Sequence, residues 1–182
     1  ITWDYNTNNL TLIWLKSYIK QILILSFVVC NYKTKTQMEN HVYNVNLEWN
    51  SDRKGTMSSP ELPINIEVAT PPEFDKGIPN IWSPEHLFTA SVVSCFMTTF
   101  LAIAEYSKFD FISFKCNSQG ILEKIDGKYL MTKIILAPEL IIDNQDKIEK
   151  AQRILEKSEA ACLISNSIKS EVVLKTEINV EN

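Results

Sequence analysis

The chain has little of what most site chemistries need. Two histidines, His41 and His86, and four cysteines with no Cys-x-x-Cys spacing leave zinc without a convincing ligand set. Four cysteines in 182 residues are too few for a disulfide scaffold and fit thiols kept reduced, as in the cytoplasm. Lys and Arg number 18 against 22 Asp and Glu, a net charge of −4. That removes the global basic signal expected of a nucleic-acid binder or of a protein drawn to anionic membranes. The apolar run near the start, Ile22 to Cys30, is far short of the ~20 residues that cross a bilayer. Only four glycines occur, while 45% of residues are hydrophobic. Such a chain buries a core and is not disordered.

Residues 1–37 read differently from the rest. The chain opens on Ile1, in a stretch rich in Asn, Thr, Ile and Lys. Lys16 and Lys20 precede the apolar run in the manner of a signal peptide, but no small-x-small cleavage site follows, and Val29 before Cys30 is too bulky for a lipoprotein signal. The expectation is a non-native or upstream extension over 1–37, with Met38 as the start and 38–182 as the folded domain.

From His41 the pattern is regular. His41 to Asn50 alternates apolar and polar residues and predicts a half-buried strand. Ser51-Asp-Arg-Lys-Gly55 predicts a turn with Gly55 supplying backbone freedom. Leu62 to Val68 predicts a second strand, with Pro63 near its start or on an edge. Thr70 to Asn80 holds three prolines and a glycine and predicts a loop. Ser83-Pro-Glu is a helix start: a side-chain acceptor, a fixed φ and a first-turn acid. That helix, running to about Lys108, is apolar on almost every face and predicts burial on most sides. Phe111 to about Leu136 predicts a long hairpin turning at Asp126-Gly127. An amphipathic helix begins at Asp143-Asn-Gln-Asp, with Ile148, Ala151, Ile154, Leu155 and Ala161 inward, and Ile168 to Val180 predicts a last strand. The order strand-strand-helix-hairpin-helix-strand predicts an α+β fold, an antiparallel sheet packed on a buried central helix.

Two cysteines carry the best lead to function. Cys95 lies within the apolar helix and Cys162 closes the second helix. A peroxide-reducing site needs a thiolate to attack the O–O bond, a cation to stabilise it and the leaving oxygen, and a thiol to resolve the sulfenic acid. Cys95, Arg53 and Cys162 suit these roles, with Glu85 holding the arginine. On a straight helix Glu85 and Cys95 stand ~15 Å apart along the axis, so Glu85 would act through Arg53 unless the helix breaks. Phe74, Trp82 and Phe96 are candidates to line an apolar pocket for a fatty or aryl substrate. Cys116, in the hairpin, reads as a structural thiol, and His86 as a helix-surface or interface residue.

Pro84-Glu-His-Leu-Phe-Thr-Ala-Ser-Val-Val-Ser-Cys-Phe96 resembles the first cysteine motif of the OsmC/Ohr proteins, thiol-dependent organic hydroperoxide reductases. Cys162-Leu-Ile-Ser-Asn166 is similar to the family's second motif, and Ser51-Asp-Arg-Lys-Gly55 to its arginine-bearing turn. Ser83 stands where the family usually has Asn, and Ser91 to Ser94 departs from its Ala-rich run. The resemblance implies an OsmC-like fold, an intertwined homodimer with both sites at its interface, no cofactor, and reduction by an external dithiol, lipoyl-type rather than thioredoxin. The rival reading is a non-catalytic OsmC-like domain that binds a small apolar or thiol ligand or senses redox state.

A chain beginning at Met38 is expected to fold, dimerise and consume peroxide like the full chain. Melting temperature, sizing and peroxide consumption measured side by side check this; a loss of several degrees would assign residues 1–37 to the fold.

Overall fold

The computed structural model describes residues 40–181, so the expectations for residues 1–37 and for Met38 fall outside the described residues. His41 to Val45 form no strand, and the described residues from Asn44 on make one compact unit.

An antiparallel meander comes first: β1 (Asn46–Ser51), β2 (Lys54–Ser59) and β3 (Leu62–Ala69). β1 is thus shorter than the alternation predicts. The turn into β2 uses Asp52 at φ 44°, so Gly55 is not the turn residue but part of β2. β2 lacks the apolar alternation of its neighbours, which hides it from a pattern reading. The sheet leaves an apolar row open, with Trp49 72% and Ile64 74% exposed. The predicted half-burial of β1 is therefore absent: none of the described residues covers that face.

Ala69 N–H donates to the Trp82 carbonyl (2.9 Å), tying β3 to the start of α1 (Pro84–Tyr106). Ser83 caps α1 as its sequence predicts. Its hydroxyl oxygen accepts from the His86 N–H (3.3 Å), and the His86 ring Nδ1 accepts from the Ser83 N–H (3.4 Å). His86 thus takes the place Glu or Gln usually holds in a capping box. α1 buries one stripe, Val92, Phe96, Phe100 and Ala104, and leaves Met97 and Leu101 exposed. The expected burial on most sides is again missing, because only one sheet and one helix are at hand to pack against. The helix hydroxyls are satisfied locally: Thr89 donates to the Glu85 carbonyl (2.9 Å) and Thr98 to that of Cys95 (3.0 Å).

β4 (Ser113–Ile125) and β5 (Lys128–Ile142) form the expected hairpin, with Gly127 at φ 81° in the turn. Every second residue of β5 from Ile134 to Ile142 is buried, and this row seats the α1 stripe. Asn144 caps a short 3-10 turn (Gln145–Lys147) before α2 (Ile148–Ala161), which buries Ala151, Ile154, Leu155 and Ser158 but not Ala161. The final segment is two strands rather than one. β6 (Glu171–Leu174) and β7 (Glu177–Val180) each pair parallel to β5, at Lys133–Leu136 and Glu139–Ile142. The second sheet is therefore mixed, not purely antiparallel. The fold is α+β, with the sheet and α2 enclosing the buried stripe of α1.

α1 comes close to β4 at Gly120, where an added Cβ would meet Thr89 Oγ1 at 2.2 Å and Met131 Cε at 2.6 Å. Gly120→Val is expected to push the helix off the sheet and cost about 1–3 kcal/mol. Urea unfolding checks this, with a lowered midpoint at unchanged slope as the expected result.

Candidate active site

α1 places Cys95 one residue before the buried Phe96, at the flank of the stripe and half-buried. Thr99, one turn on, shares its face. α2 ends at Cys162, whose backbone turns to an extended conformation (φ −64°, ψ 116°) and whose side chain is fully buried. The chain then folds into a second 3-10 turn, Ser165–Ser167. Asn166 anchors that turn: its N–H donates to the Cys162 carbonyl and its side chain to the Ala160 carbonyl, each at 3.0 Å. The result carries residues 163–165 across both sulfurs.

The two cysteines meet there, their side chains within hydrogen-bonding reach. Ile164 N–H donates to Cys95 Sγ and Ser165 N–H to Cys162 Sγ, each at 3.5 Å. Burial pushes the Cys95 thiol up, but hydrogen bonds from the Cys162 thiol, the Ile164 N–H, the Thr99 hydroxyl and the Leu163 N–H outweigh it and hold Cys95 below its ordinary value. Burial pushes the Cys162 thiol up, and its bond to Cys95 and the charge there push it further. Of the two, Cys95 therefore gives up its proton more readily and Cys162 holds its proton longer. Among the described residues no cation takes part in this balance.

The other predicted residues lie apart from the sulfurs. Arg53 is exposed in the β1–β2 turn, and its guanidinium makes no ion pair or hydrogen bond among the described residues. Its carbonyl accepts from Thr70 N–H (3.1 Å), and it lines a cleft of about 260 Å³ together with Pro84. Glu85 does not reach it within the chain. Instead Glu85 lines a cavity of about 770 Å³ with a buried Oε2 that has no partner. α1 is unbroken between Glu85 and Cys95, which keeps them ~15 Å apart along its axis. Arg53 and Glu85 therefore flank the N-terminal end of the helix, and Cys95 sits further along it.

Phe74 and Trp82 line the large cavity, with His86, Tyr129 and Met131. Phe74 packs edge-on to Tyr129 with ring centres 5.1 Å apart. Phe96 does not line it. It is fully buried against Phe114, because its position falls in the core-facing stripe of α1. Cys116, half-buried on β4, has its thiol pushed up to about 11 by burial, as suits a structural thiol. Among the described residues no cluster of His, Cys, Asp and Glu could hold a metal ion. Thr99 and the donors of residues 163–165 escaped the sequence reading. The motif Cys162-Leu-Ile-Ser-Asn166 contained the signal, but only the fold shows which way its N–H groups face.

The sequence profile of the OsmC-like protein family matches residues 74–177. The uncharacterized protein YmaD of Bacillus subtilis is 27% identical over 149 residues, covering 79% of this chain and 97% of its own length. Peroxiredoxin OsmC of Escherichia coli is also 27% identical, over 128 residues, 69% of this chain and 86% of the relative. In structure, an organic hydroperoxide resistance protein OsmC from Legionella pneumophila superposes with a TM-score of 0.61 at 21% identity, covering 77% of this chain and 99% of the other. That likeness speaks for the fold, and the profile, spanning both cysteine motifs, speaks for descent: the chain belongs to the OsmC-like family.

Proposed function

We propose that this chain is a cysteine-based peroxidase that reduces organic hydroperoxides with electrons from an external dithiol. Family membership carries a peroxide-related redox role at the coarser level. The observation that supports the finer reading is the contact between Cys95 and Cys162, with Cys95 held toward the thiolate. A thiolate is the species that attacks a peroxide, and a thiol in contact with it is the one to resolve the product.

The Cys95 thiolate attacks the outer peroxide oxygen, the O–O bond breaks, and the alkoxide leaves and takes a proton to become the alcohol. Sulfur loses two electrons and becomes a sulfenic acid. Cys162 then attacks the Cys95 sulfur, the S–S bond forms and water leaves. A dithiol reduces the disulfide and is itself oxidised to a cyclic disulfide, for which a lipoyl group is well shaped. The alkyl or aryl tail of the substrate suits a cavity with Phe74, Trp82 and Met131 in its wall.

This reading needs a second copy of the chain. Within one chain Arg53 and Glu85 are at the wrong end of α1, while the apolar row of Trp49 and Ile64 and the exposed Met97 and Leu101 lack a partner. An intertwined homodimer would cover those faces and bring Arg53, oriented by the unpartnered Glu85, to the other copy's Cys95. There the guanidinium would stabilise thiolate and departing alkoxide.

Cys95→Ser is expected to abolish consumption of cumene hydroperoxide. In the unaltered chain the rate should rise with pH through a midpoint below the ordinary thiol value of about 8.5, since the thiolate reacts and its hydrogen bonds favour it. Cys162→Ser should react once and stall, with a sulfenic-specific reagent labelling Cys95. Steady turnover in either variant refutes the assignment.

Arg53→Ala should slow peroxide attack by about tenfold or more and raise the Cys95 pKa, with Arg53→Lys recovering part of the loss. Co-refolding Arg53→Ala with Cys95→Ser should restore activity above that of either variant alone, because one site of each mixed dimer regains both groups. Failure to complement would place Arg53 and Cys95 in one chain's site.

A further inference from the structure

A seryl donor lies at the sulfurs, and peroxide cleavage leaves it without work. Ser165 begins the 3-10 turn after Cys162. Its N–H donates to Cys162 Sγ at 3.5 Å. Its hydroxyl is buried and forms no hydrogen bond among the described residues. That hydroxyl nevertheless lies near enough to Cys162 Sγ to favour the sulfur's anion if its proton turns that way. A buried hydroxyl without a partner is costly, so one kept beside a reactive sulfur is available to a charge that is not always present. Asn166 fixes the backbone of this turn through its bonds to Cys162 and Ala160.

We propose that Ser165 is a positioning residue for Cys162, its N–H and hydroxyl together stabilising the Cys162 thiolate in the half of the cycle that follows peroxide cleavage. This rests on the peroxidase reading given above. In the resting pair Cys95 is the sulfur that ionises more readily, Cys162 keeps its proton, and the Ser165 hydroxyl forms no hydrogen bond among the described residues. Once Cys95 becomes a neutral sulfenic acid, the repulsion that kept Cys162 protonated is gone. Cys162 then ionises, and two donors receive its charge as it attacks the Cys95 sulfur and expels hydroxide, which leaves as water.

The same donors assist disulfide reduction. A reductant thiolate attacks one sulfur and the other departs as thiolate, and the better stabilised thiolate departs faster. Access directs attack to the half-buried Cys95 rather than to the fully buried Cys162: the reductant–Cys95 bond forms, the Cys95–Cys162 bond breaks, and Cys162 leaves as the anion, which the Ser165 donors receive before it takes a proton. The reductant's second thiol then closes on its own sulfur and frees Cys95. Two electrons pass from the dithiol to the protein disulfide, whose sulfurs end as thiolate and thiol.

Threonine and valine match in shape and differ in the hydroxyl, so Ser165→Thr and Ser165→Val form the informative pair even where Ser165→Ala disturbs folding. The full chain is oxidised with diamide, and reduction of the Cys95–Cys162 disulfide by dithiothreitol is followed by quenching, alkylation and mass spectrometry. Cys162 alkylation against pH is measured in a Cys95→Ala background. Ser165→Val should slow reduction about three- to tenfold, the scale of one hydrogen bond, and move the Cys162 midpoint to higher pH, while Ser165→Thr stays near the parent on both readouts. The mixed disulfide trapped with a monothiol should sit on Cys95. Equal rates and midpoints for the Thr and Val variants overturn the proposal, as does a mixed disulfide on Cys162. Because diamide supplies the oxidised pair, a chain that consumes no organic hydroperoxide would overturn the peroxidase reading while this comparison still decides the role of Ser165.

Discussion

Two sulfurs in contact cannot both carry a charge, and the arrangement of Cys95 and Cys162 follows from that constraint. Cys95 bears the greater share because the donors converge on it: Ile164 and Leu163 N–H, the Thr99 hydroxyl and the Cys162 thiol itself. Cys162, fully buried, is left with the proton. The pair is a single titrating unit, so each sulfur's reactivity is set by the state of the other.

Holding that contact is the task of the core. Cys95 is carried by α1, whose Val92, Phe96, Phe100 and Ala104 stripe seats on β5. Cys162 is carried by α2, whose Ala151, Ile154 and Leu155 bury into the same cluster. The two helices thus share one packed core, and a slide of either by a fraction of a turn would separate the sulfurs. Close packing makes such a slide costly. The reactive side chains stand at the margin of this core rather than in it, where backbone N–H groups remain free to face them.

The other half of the expected site is built differently. Arg53 is held by its backbone through the Thr70 bond, while its guanidinium is exposed. Glu85 has a buried, unpartnered oxygen in a cavity lined by aromatic side chains. A buried carboxyl oxygen without a partner and an open apolar sheet are both expensive, and a second copy of the chain would answer both at once. Peroxide chemistry also gains from that division, because the cation and the nucleophile would come together only in the assembled protein.

Local chemistry wrote much of this into the sequence. Ser83-Pro84-Glu85 marks the start of α1, Asp126-Gly127 marks the hairpin turn, and the period of α2 marks its buried face, since each depends on residues within a turn or two of one another. Both cysteine motifs were legible for the same reason. What lay beyond the sequence depends on partners distant along the chain. The pattern from Ile168 to Val180 could not show two parallel strands on one edge of β5, because that edge is chosen by the α2 crossover. Phe96 looked like a pocket residue until the sheet claimed its face of α1, and β1 looked half-buried although none of the described residues covers it. The sulfur contact is the clearest case. The sequence by itself determined that one cysteine lies within an apolar helix and another closes an amphipathic one, but only the tertiary structure decided that they meet, because that distance is set by how two helices pack into one core.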